Sequence, residues 1–132
     1  MSLQISIREY GSVTILDLQG RLHAGEDGEL LNWHLRKLTG KGKTKLLLHL
    51  GRLTQIDSSG VSIIAKTHGT LKRAGGNLGL LKASGNVLDV FKVLHLLNVI
   101  PSFEDETQAL MSFQSIDSTQ EHRVPGDGTL FG

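Results

Sequence analysis

Apolar and polar positions alternate twice near the start of the chain, at Ile5 and Ile7 and again at Val13 and Ile15. A period of two is that of a strand with one face on a core. Tyr10-Gly11-Ser12 separates the runs, so residues 5–18 are predicted to form an opening β-hairpin, and Gly20 then breaks the pattern. The period changes next. Leu30, Leu31, His34, Leu35 and Leu38 fall three and four apart, which predicts a helix over residues 26–39. Asp27 and Glu29 near its start suit the positive end of a helix dipole, and Gly40 and Gly42 close it. Leu46-Leu47-Leu48-His49-Leu50 holds few polar positions and reads as a central strand covered on both faces. Beyond Asp57-Ser58-Ser59-Gly60, the stripe Val61, Ile64, Ala65, His68 and Leu71 predicts a second helix, stopped by Arg73-Ala74-Gly75-Gly76.

Leu78, Leu80 and Leu81 predict another strand, and Val87, Val90, Phe91, Leu94 and Leu97 a third helix opened by Ser84 or Asn86. Asn98-Val99-Ile100-Pro101 reads as a short extended piece, with Pro101 pointing to a sheet edge. Asp105 can cap a last helix carrying Ala109, Leu110 and Phe113. The order β-β-α-β-α-β-α-β-α predicts an α/β fold: a mixed four- to five-stranded sheet, opened by a β-hairpin and packed by about four helices. One domain is expected over residues 1–115. Residues 116–132 hold Pro125, three glycines and only dispersed apolar positions, and are expected to form a flexible C-terminal tail.

Composition narrows the function classes. Of 132 residues, 39% are hydrophobic and 20% charged, enough to bury a core. Lys plus Arg is 14 and Asp plus Glu 13, so a net charge of +1 supplies no overall field for nucleic acid or a membrane surface. The absence of cysteine removes disulfides, thiolate metal sites and a cysteine nucleophile, and fits a reducing compartment. No apolar run is long enough to cross a bilayer, and the start Met1 to Ser6 lacks the basic and apolar blocks of a secretory signal. A cytoplasmic domain with no cofactor and no metal is expected.

An enzyme is disfavoured. No serine sits in a Gly-x-Ser-x-Gly elbow, and the six histidines show no metalloprotease spacing. His34 and His68 lie on apolar helix stripes and read as packing residues. Lys37, Lys41, Lys43 and Lys45 read as a solvated helix end rather than a docking patch, because no aromatics interleave. Trp33, beside the first helix stripe, reads as partly buried, with a partner anchor as the alternative. Gly75-Gly76 is a turn and not a phosphate cradle, since no Lys-Ser or Lys-Thr follows.

The informative stretch is Leu53-Thr54-Gln55-Ile56-Asp57-Ser58-Ser59-Gly60-Val61, after the central strand and opening a helix. Its small residues allow a partner to approach the backbone, and first-turn N–H groups of a helix suit an anion. A phosphate on a hydroxyl here adds a charge of about −1.5 to −2. The plainer reading makes Ser58 or Ser59 an N-cap only.

The chain resembles the STAS domain family, in particular the bacterial anti-sigma factor antagonists, over about residues 3–114. The resemblance rests on Gly20-Arg21-Leu22 after the second strand, Leu46 to Leu50 followed by a short loop and Ile56-Asp57-Ser58-Ser59-Gly60-Val61, Gly75-Gly76-Asn77-Leu78, and the element order. It implies a STAS-like fold with Ser58 as the phosphorylation site, and Asp57, Ser59, Gly60 and His23 with Ser58 as partner-binding residues. It further implies a partner switch: the unmodified chain binds an anti-sigma factor with serine kinase activity, phosphorylation of Ser58 releases it, and a serine phosphatase resets it. The chain departs from the family pattern at Gly51, Val61-Ser62 and His23. The alternative implied role is a non-catalytic scaffold or ligand-binding module in a stress-signalling or lipid-transport complex.

Overall fold

The computed structural model describes residues 2–113. A hairpin joins β1 (Gln4–Tyr10) to β2 (Val13–Leu22), and α1 (Glu26–Gly40), β3 (Lys45–Ile56), α2 (Ser58–Arg73), β4 (Asn77–Leu81), α3 (Gly85–Val93) and β5 (Ser102–Phe103) follow. A fourth helix, α4, covers residues 106–113, capped by Asp105, whose carboxylate accepts the Gln108 N–H at 3.0 Å. The sheet runs β1-β2-β3-β4-β5. Only β1 is antiparallel to its neighbour; the other pairs are parallel.

Each parallel strand lies beside the preceding one, so successive crossovers of one hand stack α1, α2 and α3 on the same face. The main core forms there, from Leu16, Leu18, Leu46, Leu48, Leu50, Leu78 and Leu80 of the sheet against Leu31, Leu35, Val61, Ile64, Val87 and Phe91 of the helices. The opposite face carries a smaller core of Val13, Ile15, Leu47 and Leu81 under Ala109, Leu110 and Phe113 of α4. This two-sided cover is why the leucine run of β3 shows no alternation.

Several boundaries differ from the expectation, each for a local reason. Gly20 does not end β2. With φ +98° it sits inside the strand beside a register shift against β3, where an added Cβ would lie 2.4 Å from the Ser2 carbonyl oxygen. The strand at Leu46–Leu50 runs on to Ile56, so no loop separates it from the Asp57 motif. Leu30 is exposed, because the buried stripe of α1 is Asp27, Leu31, Leu35 and Leu38. The third helix stops at Val93; Leu96–Asn98 form a separate 3-10 turn, which moves the edge strand from residues 98–101 to Ser102–Phe103. Trp33 is 55% exposed, with the Lys37 ammonium 4.7 Å from its ring centroid. Lys43 pairs with Glu9 at 3.3 Å, so the lysine cluster is partly engaged within the domain. The expected tail at 116–132 lies outside the described residues.

Candidate phosphoacceptor site

The site forms where β3 becomes α2 with a single residue between them. Asp57 is that residue and caps the helix: its backbone is extended (φ −111°, ψ −179°) and Oδ1 accepts the Gly60 N–H at 3.0 Å. This corrects the plainer reading, since neither Ser58 nor Ser59 is the cap. It also corrects the picture of an open anion-binding first turn, because the Asp57 carboxylate already takes one of those N–H groups. The second carboxylate oxygen accepts the Ala24 N–H at 2.9 Å, and the Asp57 N–H donates to the Leu22 carbonyl at 3.2 Å. Asp57 therefore joins the β2–α1 connection to the start of α2.

Gly60 lets that junction close. A Cβ on Gly60 would stand 2.6 Å from Leu22 Cγ and 3.0 Å from Ile56 Cγ1. Gly28 plays the same part on α1, where a Cβ would meet Ile63 Cδ1 at 3.2 Å. Asp27, buried in spite of its charge, braces the loop from the other side: its oxygens accept the N–H groups of Leu3 at 3.1 Å and His23 at 3.2 Å, and Arg21 Nε stands 3.8 Å away. The sequence marked Asp27 only as a dipole partner. A carboxylate four residues from a loop N–H is a common helix-start pattern, and nothing in the spacing indicates that it is buried.

Burial pushes the Asp57 carboxyl upward, but the N–H donors of Gly60 and Ala24, then the His23 charge and the Ser59 N–H, outweigh it and hold the group below its ordinary value near 3.8. A carboxyl depressed in the folded state contributes stability above its unfolded value, and that contribution fades as pH falls through the folded value. Asp57→Ala is thus expected to cost about 1–2 kcal/mol at neutral pH, and the gap from the parent should narrow on acidification below about pH 4. Urea denaturation at both pH values checks this.

Ser58 is exposed, at the first position of α2, while Ser59 is half-buried toward α1 and Gly60 is buried. The structure brings Asp57, Ser58, Ser59 and Gly60 together with His23, whose charge reaches Asp57. Beside Ser58 lies a groove of about 420 Å³ lined by Ile56, Ser58, Asn86, Asp89, Val90, Val93 and Leu94. Val93 is 73% exposed and Leu94 48% exposed on its rim. The groove escaped the sequence reading, which placed Val90 and Leu94 on a buried stripe.

His68 is buried and His34 half-buried; burial first, then Lys72 and Lys37 respectively, push their imidazoles below the usual value. Both stand as packing residues. Among the described residues no cluster of three or more His, Cys, Asp or Glu side chains is arranged to hold a metal ion. Among them, no helix is long and apolar enough to cross a membrane.

The mixed sheet, three helices on one face and the β3–α2 junction define a STAS fold. The chain belongs to the STAS domain family, whose profile matches residues 4–109. It is 25% identical over 113 residues to the Bordetella bronchiseptica protein BtrV, assigned as an anti-sigma factor antagonist, covering 86% of this chain and 97% of that one. In fold it is similar to a Thermotoga maritima protein of the same assignment (TM-score 0.79, 21% identity, 83% of this chain and 94% of that one). It is also similar to the Bacillus cell fate determinant SpoIIAA, solved in a phosphorylated form (TM-score 0.66, 21% identity, 84% of this chain and 98% of that one).

Proposed function

We propose that this chain is a cytoplasmic anti-sigma factor antagonist that works by partner switching, without catalysis of its own. The observation that carries the reading is the exposed Ser58 hydroxyl on the rim of a partly apolar groove, at a helix start fixed from behind by Asp57 and Gly60. The similarity to BtrV and to SpoIIAA supports it.

The roles divide among the residues. Val90, Val93 and Leu94 offer apolar area to an anti-sigma factor, and Ser58 lies within the contact. Asp57, Gly60 and His23 fix the shape of that contact through the β2–α1 loop and the first turn of α2. Phosphorylation of Ser58 places a dianion at the groove's rim, where a docked surface must desolvate it without a partner for its charge. A serine phosphatase restores the neutral hydroxyl. The anti-sigma factor is also the serine kinase in this scheme, so docking and modification use the same surface.

Incubation of the chain with ATP and the cognate anti-sigma kinase tests the reading. The expected product carries one phosphate, located on Ser58 by mass spectrometry, and Ser58→Ala carries none. Phosphate on Ser59 or on another helix would contradict it.

A further inference from the structure

A second polar hollow lies outside the Ser58 groove and shares no lining residue with it. We propose that it binds a small molecule bearing an oxyanion group, a carboxylate or a phosphate, held by His49 and Arg52. The hollow measures about 460 Å³ and is lined by Gln4, Ile5, Ser6, Asp17, Leu18, Gln19, His49 and Arg52. It occupies the sheet face on which α4 packs, beyond the apolar patch of Val13, Ile15 and Leu47. Further along the same strands the residues on that face turn polar, at Asp17, Gln19 and His49.

A β-bulge builds it. Asp17 pairs with His49 and Gln19 with Arg52, so β3 spends three steps where β2 spends two. In a regular strand residues 49 and 52 point to opposite faces. The extra residue turns both side chains into the same hollow, the re-aiming that bulges provide near functional sites. Gly51 sits within the bulge. Its N–H donates to His49 Nδ1 at 3.1 Å, and a Cβ there would stand 2.7 Å from His49 Cε1. The glycine is therefore needed for the ring to fold back over the strand, which explains one departure from the family pattern. With Nδ1 accepting, the ring proton sits on Nε2, which is left as a donor.

The charges favour an acceptor ligand. Asp17 lines the hollow, but Arg8 engages both its oxygens at 2.7 and 3.1 Å, and the same guanidinium holds both oxygens of Glu106 at 3.1 and 2.9 Å. Arg8 is thus taken up by Asp17 and Glu106, which leaves the Arg52 guanidinium as a cation lining the hollow. Arg52 is exposed and makes no ion pair among the described residues. The donors left over are the Arg52 guanidinium, His49 Nε2, the amides of Gln4 and Gln19 and the Ser6 hydroxyl. Carboxylate and phosphate oxygens match that set.

Titration of the isotope-labelled full chain with inorganic phosphate in one arm and citrate in the other, followed by amide NMR, tests the site and separates the two chemistries. Saturable shifts at Ser6, Gln19, His49, Gly51 and Arg52 in either arm are expected. Arg52→Ala, on an exposed side chain, should weaken binding about tenfold. Gly51→Ala should weaken it by displacing the ring, and Ser58→Ala should leave it unchanged. Absence of shifts in both arms, shifts confined to residues 57–60, or full binding by Arg52→Ala would overturn the proposal.

Discussion

Ser58→Asp is expected to lower affinity for the anti-sigma partner by about a hundredfold or more, while Ser58→Ala binds within about threefold of the parent chain. The asymmetry follows from where the side chain sits. Ser58 is exposed at the start of α2 and belongs to the lining of the groove formed with α3. Alanine removes a hydroxyl that makes no hydrogen bond among the described residues. Aspartate introduces a charge that docking must strip of water, a cost of several kcal/mol when no counter-charge is supplied. Nor do the described residues that line the groove supply one: Asp89 in the lining and Asp57 beside Ser58 carry the same sign. The fold itself should tolerate the change, since a carboxylate in the first turn of a helix is mildly favourable. Calorimetric titration of each variant, with thermal melts alongside, separates a binding effect from a folding one. Equal affinities for the two variants would contradict the account.

Gly60→Ala carries the second large effect, and it acts on both stability and binding. The added methyl would stand 2.6 Å from Leu22 Cγ, and Leu22 is fully buried, so the neighbour has no solvent to retreat into. Overpacking of this kind costs about 1–3 kcal/mol. The strain falls on the contact that brings the Asp57 N–H to the Leu22 carbonyl, so the start of α2 must back away from β2. Ser58 moves with it. The expected result is a lowered denaturation midpoint, together with weaker partner binding at temperatures where the variant remains folded. Gly11→Ala is the control for a surface glycine: nothing lies within 4 Å of its Cβ position, and its penalty comes from φ +59° alone. Full partner binding by Gly60→Ala would separate the close contact from function.

The architecture was legible because the sheet and its helices are written in periods. The leucines of β3, the stripe of α2 and the opening hairpin each repeat at the spacing of their element. What escaped was set by tertiary contact. Gly20 reads as a breaker, yet a register shift absorbs it within β2. Asp27 reads only as a helix-dipole partner, yet the His23 N–H of the preceding loop and the distant Leu3 N–H hold it in the interior. The serines read as caps because serine commonly caps, whereas Asp57 is one residue nearer the strand and carries two acceptor oxygens, one for the first turn of α2 and one for the β2–α1 loop. Leu94 continues an apolar stripe in sequence, but α3 ends at Val93, and Val93 and Leu94 stay uncovered. Ser58 as the proposed phosphoacceptor came through resemblance to a family, while the groove beside it required the fold.

A partner switch requires that one phosphate undo docking without undoing the domain. The direct measurement titrates the anti-sigma kinase with the unmodified chain, with the chain phosphorylated on Ser58, and with that chain after phosphatase treatment, recording the melting temperature of each. Binding, then loss of binding, then recovery is expected, with all three forms folded. Equal binding by the phosphorylated and unmodified chains, or loss of binding only because the phosphorylated domain unfolds, would contradict it.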